Sequence, residues 1–337
     1  MTVFAVQWHI TGLCGNKCLH CYMDKRNKGL PFEAMCGIVN SLVNMKSDLG
    51  CELRIDLTGG DPLLYPNFYG LLEYINQKIP DCNIGILGNP ELLNDGVIDN
   101  LKSRGVVSYQ ISIDGLEATH DHIRYRGSFR KSINTLKRLA KKDMDTAVMS
   151  TVSLINIDEI PYVADLACEL GITNYGFNRF TPTGNGASIA DQASISPMRY
   201  RNFLVEMDRH YEQHRGGLTH FGANEPLWYL LKYEQGQFQL ANDGLVHDGC
   251  PIGVASFIIL DDGNVLACRR IPVIIGNILQ ANPTNIFIES KALAKLRDYD
   301  SIKKCGGCNL LRYCRGCRAS AYCATGDYFG PDPQCWL

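Results

Sequence analysis

No stretch of this 337-residue sequence reaches the roughly 18 consecutive apolar residues of a membrane-spanning helix. Its amino terminus lacks the basic head and small-residue cleavage site of a secretory signal, so the expected location is the cytoplasm, with no membrane partner. Charge of one sign is also missing. The 33 basic and 35 acidic residues leave a formal charge of −2 with no sustained block of either, so no nucleic-acid groove or polyanion partner is expected. What remains is a globular composition, 45% hydrophobic and 20% charged, enough to bury a substantial core in one large domain plus a small one. It also holds fifteen cysteines, which without an export signal argue against a disulfide framework and for metal.

Three of them, Cys14, Cys18 and Cys21, follow an apolar run from Val3 to Ile10 with spacings that let their thiolates converge on one cluster. Four thiolates would close a [4Fe–4S] centre into an electron carrier; a local set of three leaves one iron free to bind something that reacts. A structural zinc site and three unrelated core cysteines are the alternatives. Tyr22 offers an aromatic wall beside a bound ligand. Cys36, Cys51, Cys82 and Cys168 are scattered singly among apolar residues and read as ordinary buried thiols.

From Met1 to about Gly184, apolar β-branched runs at 3–10, 52–57, 83–88, 106–113, 146–152 and 173–180 alternate with helical patterns near 32–48, 66–79, 92–103, 128–142 and 157–170. Six strands are too few for a full eight-stranded barrel, so the expected fold is α/β, an open partial (β/α)6 barrel. Active residues in such sheets gather beyond the carboxyl ends of the strands. Helical segments near 197–213 and 225–234 form a bridge broken at Gly216-Gly217. His120, His122, His210 and His214 read as surface or packing residues.

The segment Trp8-His9-Ile10-Thr11 running into CGNKCLHCY resembles the first strand and cluster loop of the radical S-adenosylmethionine (SAM) enzymes. That resemblance implies a [4Fe–4S] cluster on Cys14, Cys18 and Cys21, with SAM on the fourth iron and a 5′-deoxyadenosyl radical as the reactive product. Further motifs can be set against it. Thr58-Gly59-Gly60-Asp61-Pro62 is on its own a turn that brings backbone close to a ligand; it is similar to the family's Gly-Gly-Glu motif at the SAM amino group, with Asp61 shortening the acid. Leu87-Gly88-Asn89-Pro90 stands where the family often has Thr-Asn-Gly, which would turn Asn89 toward the cofactor; a plain turn is the alternative. Gln110-Ile111-Ser112-Ile113-Asp114-Gly115 resembles the family's Ser-x-Asp-Gly strand. The resemblance implies a ribose contact for Ser112, a cofactor-side place for Asp114, and Arg124 as a bidentate partner of the SAM carboxylate, against a solvated surface arginine. The turn Arg179-Phe180-Thr181-Pro182-Thr183-Gly184 is similar to one branch of the family, implying that Arg179 faces the cavity and Thr181 borders the adenine.

The carboxyl-terminal cysteines form a second constellation. Cys250 and Cys268 flank an apolar strand, an Asp-Asp-Gly-Asn turn and a returning strand, which reads as a β-hairpin with both thiols at its open end. Cys305-Gly-Gly-Cys308, Cys314-Arg-Gly-Cys317, Cys323 and Cys335 follow. Two CxxC pairs alone allow a zinc ribbon. The whole resembles the SPASM domain, the auxiliary iron–sulfur domain of radical SAM enzymes acting on peptides and related substrates. It implies a distal cluster on Cys305, Cys308, Cys314 and Cys335 and a nearer one on Cys250, Cys268 and Cys317. Cys314 and Cys317 stand one residue closer than usual, and no other thiol lies near Cys250; Cys323 either fills the fourth position or leaves an open iron. Arg269-Arg270-Ile-Pro272 looks like the stretch after the second SPASM cysteine.

The resulting expectation is a barrel at 1–184, a helical bridge at 185–240 and a SPASM domain at 241–337. It carries three [4Fe–4S] clusters and SAM and receives electrons from a donor such as flavodoxin or ferredoxin. The resemblance puts first the modification of a ribosomally made peptide by a thioether or carbon–carbon cross-link, an oxidoreductase role; the sequence begins at the barrel, so no separate amino-terminal peptide-recognition domain is expected. A tetrapyrrole-modifying role is the first alternative, because the CRRxP and TGDYFGPDPQC segments also look like haem-pathway relatives, and clustered arginines facing the cavity would favour it through propionates. Oxidation of a sulfatase Cys or Ser, and a non-catalytic electron carrier, complete the set.

Overall fold

A computed structural model describes residues 2–23, 27–222, 225–241 and 243–337. The β-branched runs form the strands their alternation demands. In β1 (Val3–Thr11) Phe4, Val6, Trp8 and Ile10 are buried in the hydrophobic core, while Gln7 on the opposite face lines a cavity. Five more parallel strands follow, β2 (Glu52–Gly59), β3 (Asn83–Leu87), β4 (Val106–Ser112), β5 (Asp145–Val152) and β6 (Asn174–Arg179), each joined by helical crossovers. The helix Phe32–Leu49 shows the local logic. Met35, Ile38, Val39, Leu42 and Met45 recur at helical spacing on its buried face, and Gly50, at φ 56°, ends it by donating its N–H to the Lys46 and Ser47 carbonyls.

Three features were not visible in the periodicity. A short seventh strand, β7 (His220–Phe221), extends the sheet beyond β6. The helix Glu117–Ile123 lies between β4 and the next predicted helix, and packs His120 out of solvent. Most consequential, the carboxyl-terminal hairpin is not a separate layer: β8 (Ser256–Ile259) pairs in parallel with β1, from Ala5 opposite Ser256 to Trp8 opposite Ile259. Antiparallel β9 (Asn264–Leu266) and β10 (Ile274–Asn277) then complete one sheet of order β10-β9-β8-β1-β2-β3-β4-β5-β6-β7. The fold is mixed α/β, a parallel sheet with antiparallel strands at its carboxyl-terminal edge, and the sheet runs across the sequence boundary at 241. No helix among the described residues is long and apolar enough to cross a membrane. Of the scattered thiols Cys51 and Cys82 are buried, and burial pushes Cys82 up to about 12; Cys36 and Cys168 are half-exposed rather than buried.

Candidate active site and thiol clusters

The carboxyl ends of β1 to β6 surround a cavity of about 420 Å³. The loop after β1 brings Cys14, Cys18 and Cys21 to its wall, each half-exposed. Their sulfurs are met by N–H donors: Asn16 N (3.4 Å) and Asn89 Nδ2 (3.5 Å) to Cys14, Met23 N (3.5 Å) to Cys21, and Arg124 Nη1 (3.9 Å) to Cys18. Donors aimed at sulfur stabilise thiolate over thiol, which is what iron ligation requires. Burial raises the Cys14 and Cys18 thiols; Asn16 and Asn89 pull the first back down, and Arg124 the second.

Arg124 is held for this place. Its Nε donates to Asp114 at 2.7 Å, leaving the outer guanidinium on the cavity wall beside Cys18. Burial alone would raise the Asp114 carboxyl, but Arg124, His20 at 3.5 Å and the Thr151 N–H hold it below the usual carboxylate range. Asp114 is therefore a fully buried support for Arg124 rather than a wall of the cavity. Asp61 is corrected in the same way. It caps the short turn Pro62–Leu64 by accepting the Leu63 N–H at 3.2 Å and is buried away from the cavity, and burial above all pushes its carboxyl up to about 6. Gly59 and Gly60 do line the cavity, yet their first duty is to the cysteine loop: an added Cβ would lie 2.0 Å from Thr11 O and 2.1 Å from Leu13 O respectively. Asn89, Ser112 and Tyr22 line the wall.

Arg179 is the larger correction. Although it borders the cavity, its guanidinium is 2% exposed and fully engaged, with Nε to Glu225 (2.9 Å), Nη1 and Nη2 bidentate to Asp332 (2.7 and 2.8 Å) and Nη1 also to Gln334 (2.8 Å). It ties β6 to the carboxyl terminus instead of facing a ligand. Thr181 stays on the wall.

The other thiols separate into two groups. Cys305, Cys308, Cys314 and Cys335 line one small pocket capped by Leu227, Leu230, Leu310 and Leu311. Cys250, Cys268, Cys317 and Cys323 lie outside that pocket, and burial raises the Cys250, Cys268 and Cys323 thiols. The donor pattern of the first loop recurs, from Leu310 N to Cys308 and from Gly316 N to Cys314, both 3.4 Å. Among the described residues no three His, Cys, Asp or Glu converge tightly enough for a single metal ion. All-thiol sets whose sulfurs are met by N–H donors fit the ligation of iron–sulfur clusters.

Two cavity residues matter that motif carry-over left without a role. Arg269 stacks over the Tyr22 ring with 4.5 Å to its centroid, and Arg270 donates to Arg179 O at 3.1 Å beside Cys268. The signal was their position directly after Cys268, at the end of the hairpin. Gln7, Gln110 and Asn178 also line the wall, as inward positions of β1, β4 and β6.

Comparison with known proteins matches this arrangement. The radical SAM superfamily model covers residues 8–167, and the SPASM iron–sulfur cluster-binding domain model covers 250–318. The AdoMet-dependent heme synthase of Methanosarcina barkeri is 28% identical over 98% of this chain and 95% of its own length. The sporulation killing factor maturation protein SkfB of Bacillus subtilis is 26% identical over 82% of this chain and 63% of its own. Among solved structures, Streptococcus suis SuiB superposes with a TM-score of 0.78 at 15% identity, covering 100% of this chain and 78% of that one.

Proposed function

We propose, from the premise that this chain belongs to the radical SAM superfamily and carries a SPASM domain, that it modifies a tetrapyrrole bearing carboxylate side chains. When bound, the clusters and SAM supply a 5′-deoxyadenosyl radical that removes a substrate hydrogen atom, together with sinks for one electron. Cys14, Cys18 and Cys21 hold the SAM-binding cluster, the two carboxyl-terminal sets hold two auxiliary ones, and a flavodoxin or ferredoxin provides electrons. Arg124 offers its outer guanidinium to the SAM carboxylate, with Asp114 fixing its direction. Asn89, Ser112, Thr181 and the Gly59-Gly60 backbone line the path of the rest of SAM.

The observation that carries the substrate class is the pair Arg269 and Arg270 on the cavity wall. Arg269 is steadied by Tyr22, its Nε has no hydrogen-bond partner, and among the described residues no carboxylate makes a salt bridge with it. A cation so placed favours a substrate carboxylate. The full-length match to a heme synthase supports the same reading. A ribosomally made peptide is the second reading, favoured by the amide side chains of Gln7, Gln110 and Asn178 on the wall and by the relatives SkfB and AlbA.

The test is anaerobic reconstitution with iron and sulfide, followed by dithionite, SAM and either an iron porphyrin carrying propionates or candidate peptides. The expected result is 5′-deoxyadenosine with a new tetrapyrrole, and about a tenfold higher KM in Arg269→Gln, as for a lost charged contact, with SAM cleavage in the absence of substrate unchanged. Product from a peptide alone would replace the first reading by the second.

A further inference from the structure

The two auxiliary thiol sets share a cation. Arg318 directly follows Cys317 and opens the helix Arg318–Thr325, yet its side chain does not reach solvent: it is 4% exposed. Nη1 is anchored to two carbonyls, Tyr328 O at 3.0 Å and Gly330 O at 2.8 Å. Nε and Nη2 are buried with no hydrogen-bond partner. No carboxylate among the described residues makes a salt bridge with it. Asp327 pairs with Lys303 at 2.9 Å, and both oxygens of Asp332 are met by Arg179.

Its position is as telling as its lack of partners. Nη2 packs against Gly316, where an added Cβ would stand 3.0 Å away, and Gly316 lies between Cys314 of the distal set and Cys317 of the nearer one. A buried cation with no direct salt bridge is costly, and so are orphaned N–H donors. An anionic thiolate-bound cluster on each side meets both needs, supplying negative charge and sulfur acceptors.

We propose that Arg318 is a positioning cation shared by both auxiliary clusters, holding their reduction potentials above that of the SAM-binding cluster. Reduction adds negative charge to a cluster, so a fixed neighbouring cation and N–H donors to its sulfurs favour the reduced state. Among the described residues no fully buried, unpaired cation stands beside Cys14, Cys18 and Cys21: Arg124 is half neutralised by Asp114, and Arg269 is only half-buried.

This inference rests on the reading of two auxiliary clusters, and iron analysis of the wild type tests that reading by itself: auxiliary iron missing from a fully reconstituted wild type overturns both. The experiment proper is a redox titration of Arg318→Gln, followed by electron paramagnetic resonance. A loaded variant is expected to show auxiliary potentials lowered by about 59 mV or more, a tenfold change for a one-electron couple, with the SAM-binding cluster unmoved. Unchanged auxiliary potentials in loaded Arg318→Gln overturn the inference alone. If Arg318→Gln loses auxiliary iron, Arg318→Lys decides: restored loading supports a need for charge, and failure to load reduces Arg318 to a packing residue and overturns it.

Discussion

The thiol loop after β1 and the thiol sets at the carboxyl terminus answer the same need in opposite ways. The first places three sulfurs on the wall of a large cavity, with one arginine whose charge is shared with a buried aspartate. The second is enclosed in part: Cys314 and Cys317 are buried while the other six thiols are as half-exposed as those of the first loop, the distal pocket is roofed by leucines, and Arg318 and Arg315 are buried beside it. Openness suits a site that must admit SAM and substrate. Enclosure in a low dielectric with fixed cations suits electron transfer, where ligand exchange would be a liability.

The sharpest way to break that contrast is to remove the open site. Cys14→Ala/Cys18→Ala/Cys21→Ala is expected to abolish 5′-deoxyadenosine while retaining about two thirds of the iron, by the three-cluster reading; iron analysis and nucleoside assay measure both. Cys335→Ala tests the enclosed side. Product formation should be lost while SAM cleavage stays within about threefold, the size of an indirect effect of under 1 kcal/mol. Equal loss of both would erase the division of labour. Next comes the tie between the regions. Arg179→Met leaves Asp332 and Glu225 buried and unpaired and should cost about 3–5 kcal/mol in denaturant unfolding; a cost under about 1 kcal/mol would mean that the pair is dispensable.

The smallest effect lies beneath the open site, at a buried cap. Asp61 has its carboxyl raised to about 6 in the folded chain, so folding favours its protonated form. The protein is relatively more stable below the unfolded carboxylate range, and that advantage is lost as pH rises through about 6. Asp61→Asn keeps an acceptor for the Leu63 N–H and removes the charge. Its melting temperature should exceed that of the wild type above pH 6 and match it near pH 4; a constant difference across that range would dismiss Asp61 as the titrating group.

Much of the architecture was legible because strands and helices bury one face. Period-two and period-3.6 patterns located the six strands of the barrel and the major helices to within a few residues. The cysteine spacings likewise announced the thiol sites. What remained hidden depends on contacts between distant segments. Nothing in β8 alone says that it will pair with β1, since a short buried strand reads the same against any neighbour. Arg179 ends β6 and Arg124 follows the helix Glu117–Ile123, and only the fold shows one spent on Asp332 and the other partly free at the cavity. Asp61 and Asp114 stand where cofactor contacts were expected, yet local geometry recruits them as a cap and a support. Arg318 had no motif of its own, because an unpaired buried cation is recognised only by its surroundings.

The pairing of β1 with β8 also bears on how the chain is made. Synthesis proceeds from the amino terminus, so the strand that feeds the Cys14 loop emerges early and pairs with β2 on one side only. Its other edge stays a bare ladder until residues 256–259 leave the ribosome. Exposed edges invite pairing with other chains, and contacts this distant in sequence form slowly. The nascent protein therefore passes through a vulnerable interval in which the cysteine loop exists but its sheet is unfinished. Iron delivered after release of the full chain would meet a completed cradle, whereas iron delivered earlier would meet an open edge prone to aggregation.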